Sequence, residues 1–77
     1  MPNTFSGKII IKILEKHFGF VQASQKGSHV KLKRIIGKDS IITIVPNHKE
    51  IQNGTLSGIL ALAKVDKKEF LRAIKNK

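Results

Sequence analysis

The segment Gly27-Ser28-His29-Val30-Lys31-Leu32-Lys33-Arg34 alternates polar and apolar side chains directly after a glycine. Side chains of a β-strand point alternately to opposite faces of a sheet, so His29 shares one face with the two lysines that follow it. The valine and the leucine lie on the other face, which we expect to pack on a core. Gly27 can adopt a positive φ, and the polar residues before it favour a tight turn. The segment therefore predicts a strand that follows a turn and has one cationic and one apolar face.

Two further segments have the composition of strands. Residues 20–24 form a short candidate, and residues 40–45 are rich in β-branched side chains and are followed by Pro46. The predicted strand over residues 28–35 lies between them. Short turns join antiparallel neighbours, so the middle of the chain is predicted to be a three-stranded antiparallel sheet.

A helix is predicted before the strands, over residues 7–17. Ser6 is a suitable N-cap, and Gly19 can supply the left-handed residue that often ends a helix. Apolar side chains recur between them at helical spacing, at Ile9, Ile10, Ile13 and Leu14.

Two more helices are predicted after the strands. Thr55 is expected to be the N-cap of the first, and the capping-box spacing from Asp66 to Glu69 is expected to start the second. Their apolar faces are expected to carry Leu56, Ile59, Leu60, Ala63, Phe70, Leu71 and Ile74. The predicted fold is α+β in the order α-β-β-β-α-α, with the helices on one face of the sheet and His29 on the open face.

Charge and length limit the possible functions. The 77 residues include 15 Lys and Arg against 5 Asp and Glu, a formal net charge of +10, which favours polyanionic or acidic partners. We expect one small domain over residues 1–77. Cysteine is absent and the histidines at 17, 29 and 48 have no metal-ligand spacing, so no metal or other cofactor is expected.

The apolar run at residues 8–14 is too short and too charged to span a bilayer, and no signal-peptide cleavage site follows it. A cytoplasmic protein is expected. A basic amphipathic helix can also lie on a membrane surface, but the predicted sheet offers this one a core on which to pack.

Aromatic residues are few, with no Tyr, no Trp and four Phe, so base stacking is not expected to dominate nucleic-acid binding. Recognition of RNA would instead use phosphates and 2′-hydroxyls. The candidate RNA-binding residues around the first turn are Lys26, Gly27, Ser28, Lys31, Lys33 and Arg34. The alternative is a solvated basic surface, on which His29 would be a solvated residue.

Four motifs in order resemble those of the HicA family of toxins. They are Gly19-Phe20, Gln25-Lys26-Gly27-Ser28-His29, Ile44-Val45-Pro46-Asn47-His48, and Gly54-Thr55-Leu56 with Ile59-Leu60. The resemblance implies a fold like the double-stranded-RNA-binding domain. It also implies an mRNA interferase of a type II toxin–antitoxin pair, which cleaves messenger RNA without a metal and is inhibited by a HicB-type antitoxin.

Carried over to this chain, the resemblance implies that His29 is the catalytic residue. It also implies that Gly27 and Ser28 form the turn that leads into the strand of His29. Many members have a second histidine directly after the first, where this chain has Val30. His48 matches a frequent feature of the family and is kept as a possible auxiliary residue, with a structural role as the alternative.

The chemistry of RNA cleavage fits a histidine among lysines. The reaction needs a base for the ribose 2′-OH, a cation for the phosphorane and an acid for the leaving oxygen, and histidine transfers protons near neutral pH. We therefore expect an endoribonuclease that uses His29 as general base. Two alternatives are a non-catalytic RNA-binding module of the same fold, and a regulatory protein whose basic surface binds an acidic partner.

Overall fold

Six elements follow one another within residues 4–75, the part of the chain that the computed structural model describes. They are α1 Gly7–Phe18, β1 Val21–Lys26, β2 His29–Ile36, β3 Asp39–Pro46, α2 Asn53–Ala63 and α3 Lys67–Lys75. The order α-β-β-β-α-α confirms the prediction.

The three strands form one antiparallel sheet in the order β1-β2-β3. Both connecting turns contain two residues, Gly27-Ser28 and Gly37-Lys38, and each glycine has φ near 59°. A positive φ at the first turn position matches the right-handed twist of the flanking strands, so pairing continues up to the turn. β1 and β3 are therefore longer than predicted, whereas β2 keeps its predicted length and is shifted by one residue. Ser28 belongs to the turn, beside the pair formed by Lys26 and His29.

Both predicted caps of α1 are confirmed, and the helix ends at Phe18, one residue later than predicted. The Ser6 hydroxyl accepts a hydrogen bond from the Ile9 amide at 3.1 Å, and Gly19 follows the helix with φ 76°. The Gly19 position needs a left-handed backbone, which glycine adopts without a Cβ clash.

The start of α2 differs from the prediction. The helix begins at Asn53, and its N-cap is Gln52, not Thr55, with no hydrogen bond from the cap side chain. The first turn closes instead through the Leu56 amide, which donates to the Gln52 carbonyl at 2.9 Å. Burial of the apolar face, at Leu56 and three further residues, stabilises this helix without a capping side chain.

The helices cover one face of the sheet, and the core lies between them. Val30 and Leu32 of β2 point into it as predicted. Phe70 of α3 is fully buried, with the rings of Phe5 and Phe18 at centroid distances of 6.4 and 6.5 Å. Leu71 was also predicted to be in the core, but it is 37 % exposed, because the apolar face of α3 that packs on the core is centred on Phe70.

The inner face of β3 carries an unexpected polar residue. Thr43 is completely buried, and its hydroxyl donates to the Ile59 carbonyl of α2 at 2.8 Å. The bond satisfies the hydroxyl and fixes α2 on the sheet. Among the described residues, no helix has the length and apolar character needed to cross a membrane.

Candidate active site on the open sheet face

The open face is the side of the sheet that faces away from the helices. From β2 it carries His29, Lys31 and Lys33 and then Ile35, in alternation with the buried Val30 and Leu32. The first two of these side chains are exposed and Lys33 is half-buried. The two faces of β2 therefore follow the predicted alternation.

His29 lies in an open depression of about 470 Å³ at one end of this face. The depression is lined by Ser24 and Lys26 of β1, His29 and Lys31 of β2, and Ile44 of β3. Lys26 and His29 are directly paired across the strands, and Lys31 is two residues further along β2, about 7 Å away by strand geometry. An exposed imidazole thus lies beside the side chains of two lysines in the same depression, a suitable arrangement for proton transfer beside a phosphate.

The remaining candidate cations are not in this depression. Lys33 shares the open face, but it lies four residues from His29, about 13 Å along the strand. Arg34 lies on the opposite face, where its Nε is 3.5 Å from the position that a Cβ on Gly19 would occupy. The structure brings together Lys26 and Lys31 with His29, and it separates Arg34 from them.

The open face is also partly apolar, which sequence reasoning missed. Ile35, Ile42 and Ile44 are 70, 39 and 45 % exposed, and the last two are the cross-strand partners of Lys33 and Lys31. Isoleucine and lysine therefore alternate across the face. The signal in the sequence is β3 itself, which has apolar residues at both alternating sets of positions.

His48 lies beside the turn that precedes His29. Its Nε2 is 3.3 Å from the Ser28 hydroxyl, and the Asn47 amide donates to the Ser28 carbonyl at 2.6 Å. The segment after β3 is thus joined to the β1–β2 turn through both a side chain and the backbone.

The same segment is fixed to the first helix. The Gly7 amide donates to the His48 carbonyl at 2.8 Å, and a Cβ on Gly7 would collide with the Pro46 carbonyl oxygen and lie 2.9 Å from the Asn47 Cα. Only a glycine permits this close approach. Its role was not evident from the sequence, in which Gly7 appears as an ordinary first-turn residue.

Within residues 4–75, no group of three or more His, Cys, Asp or Glu side chains is arranged to hold a metal ion.

The fold and the open face define a class of protein: a small basic α+β domain with a histidine between lysines on a three-stranded sheet. No curated protein matches the chain. The family model described as the HicA toxin of bacterial toxin–antitoxin matches residues 7–65, more than half of the chain. The chain therefore belongs to the HicA toxin family and is the toxin of a toxin–antitoxin system, with an antitoxin as its partner. The match ends before α3 begins at Lys67.

Proposed function

We propose that this toxin is an endoribonuclease, an mRNA interferase that cleaves RNA without a metal and uses His29 as general base. The observation that carries the proposal is the open depression, which His29 lines together with Lys26 and Lys31. The family supports a toxin, and the arrangement of these three side chains supports RNA as its target.

In the proposed reaction, His29 takes the proton of a ribose 2′-OH. The 2′ oxygen forms a bond to the adjacent phosphorus, and the bond from phosphorus to the 5′ oxygen breaks. The leaving oxygen takes a proton from solvent or from the protonated His29. The products are a 2′,3′-cyclic phosphate and a 5′-hydroxyl. Lys26 and Lys31 stabilise the added negative charge of the phosphorane.

The RNA is proposed to lie across the open face from the turn along β2. Lys26, Gly27 and Ser28 contact it beside the scissile phosphate, and Lys31 and Lys33 contact phosphates further along. We assign no contact on this path to Arg34, since it lies on the other face of the sheet.

His48 is proposed to position the catalytic turn. It contacts the Ser28 hydroxyl and its neighbour holds the Ser28 carbonyl, so the residue directly before His29 is fixed on two sides. A fixed turn keeps the imidazole in one orientation, which proton transfer requires.

The antitoxin is proposed to be an acidic HicB-type protein that covers the open face. Its carboxylates would pair with Lys31 and Lys33, while apolar side chains would cover Ile42 and Ile44. Such a surface buries His29 and competes directly with RNA.

The test is cleavage of a defined RNA by the purified toxin and by His29→Ala, with analysis of the product ends. We expect cyclic phosphate ends from the wild type and a rate at least about 100-fold lower from the variant, since a positioned base contributes roughly 10²–10⁴-fold. Circular dichroism should be unchanged, because His29 is exposed. RNA binding without cleavage by the wild type would make the chain an RNA-binding module instead.

A further inference from the structure

A groove lined by polar side chains and by the apolar Ile11 and Val30 runs beside α1 on the helix side of the sheet. Its larger part, about 430 Å³, lies between α1 and β1 and is lined by Lys8 and Lys12 of the helix and by Gln22 and Gln25 of the strand. A second depression of about 240 Å³ adjoins it, because Lys8 and Asn47 line both. We call the two together the α1–β1 groove.

One wall of this groove is cationic and the other carries amides. Lys8 and Lys12 are exposed and one helical turn apart, about 6 Å along the axis. Lys49 adds a third cation in the adjoining depression. The amide side chains opposite can both donate and accept hydrogen bonds. Glu15 also lines the groove, where one of its oxygens accepts from the Gln22 amide nitrogen at 3.4 Å.

The α1–β1 groove and the His29 depression lie back to back across the end of β1. Gln25 is paired with Val30, and both line the groove. The next pair towards the turn, Lys26 and His29, lines the depression on the open face. β1 is an edge strand of the sheet, and all its side chains are exposed. A flexible polymer can therefore pass around β1 from one site to the other.

We propose that the α1–β1 groove binds a single-stranded RNA segment that flanks the scissile bond, an inference that rests on the proposed function. Lys8, Lys12 and Lys49 contact successive phosphates, and the amides contact bases or 2′-hydroxyls. Among the described residues, the His48 imidazole is the one aromatic ring that lines the groove, so this affinity is mainly electrostatic and depends little on stacking. A duplex is too stiff to turn around one strand, which favours single-stranded RNA.

The test compares Lys8→Gln/Lys12→Gln with the control Lys68→Gln/Lys75→Gln, which removes the same charge from exposed sites on α3. We would measure binding of an RNA strand of about 12 nucleotides, a length within the range that small single-strand-binding domains cover. The measurement is repeated over a series of salt concentrations, and each protein also carries His29→Ala so that the RNA is not cleaved. In the groove variant, the slope of the logarithm of the binding constant against the logarithm of the salt concentration should be smaller in magnitude by about 1.4, which corresponds to two lost phosphate contacts at about 0.7 each. The control should keep the slope of its parent.

With His29 intact, the groove variant should also reduce the ratio of kcat/KM for this RNA to kcat/KM for a dinucleotide, which is too short to reach both sites. If the wild type cleaves RNA, equal salt slopes and equal kcat/KM ratios in the groove variant and the control would overturn the groove proposal. If the groove variant loses antitoxin binding but binds RNA as before, the groove belongs to the antitoxin interface, and the groove proposal is overturned as well. Absence of RNA binding and cleavage in the wild type would instead refute the proposed function itself.

Discussion

The Ser28 hydroxyl and Nε2 of His48 lie 3.3 Å apart although 20 residues separate them in the chain. The contact brings the turn before His29 against the segment that leaves β3. If it positions His29, then Ser28→Ala and His48→Gln should each lower kcat by about 2- to 10-fold, the size of one hydrogen bond.

The double variant Ser28→Ala/His48→Gln should be no slower than either single variant, because both lose the same contact. Ser28→Thr, which keeps the hydroxyl, should retain activity. His17→Gln, at an exposed site on α1, is the matched control for loss of an imidazole. Additive losses in kcat would show that the two residues act separately.

Charge reversal at Lys31 or Lys33 should weaken RNA binding more than reversal at Lys75. The first two lysines share the open face with His29, whereas Lys75 ends α3 on the helix side. Dissociation constants measured at fixed ionic strength decide the question, because phosphate contacts are strongly salt-dependent. Equal weakening at all three sites would indicate a diffuse basic surface. Lys77, another lysine of the carboxyl end, lies outside the described residues.

Excess EDTA should leave RNA cleavage unchanged, because the proposed mechanism takes its base and its cations from His29, Lys26 and Lys31. The product ends should remain 2′,3′-cyclic or 3′-phosphates. The measurement is the initial rate before and after chelation, followed by addition of Mg²⁺. A rate that depends on Mg²⁺ and 5′-phosphate ends would contradict the mechanism.

Co-expression with the antitoxin should restore growth, and the complex should protect His29 from diethylpyrocarbonate. The protection follows from an acidic partner that covers the open face and buries the imidazole. Mass spectrometry of the modified histidines measures it. His17, exposed on α1, provides the internal reference within the same molecule. Full reactivity of His29 in a tight complex would mean that the antitoxin inhibits from another surface.

Thr43→Val should lower the free energy of unfolding by about 1 kcal/mol, because the buried hydroxyl donates a hydrogen bond to the Ile59 carbonyl of α2. Denaturant titration measures the loss. Thr55→Val is the matched control, since Thr55 is exposed and does not cap α2. A larger loss at Thr55 than at Thr43 would contradict the observed start of the helix.

The order of elements and the two faces of β2 could be predicted because local signals agreed with the tertiary structure. Ser6 and Gly19 bound α1, and glycine turns separate the strands. The alternation from His29 to Lys33 has a period of two, which assigns each side chain to a face without knowledge of the rest of the fold.

The faces of β3 could not be predicted in the same way. Ile42 and Ile44 are exposed while Thr43 is buried, the reverse of what hydrophobicity favours. The Ile59 carbonyl compensates for burial of the hydroxyl, and it belongs to a helix 16 residues further along the chain. The contact of His48 with Ser28 and the close approach at Gly7 are also long-range features without a local signal.

The exposed outer strand also affects how copies of the toxin meet one another. An unpaired strand edge can recruit another strand and start aggregation. The ladder between β1 and β2 shifts register between Gln22 and Ser24, and such an irregularity twists a strand and interrupts the straight row of backbone donors and acceptors. Lys26 adds a charge close to this edge. β1 can thus stay open to a polyanion while its own edge resists pairing with the same edge of another copy.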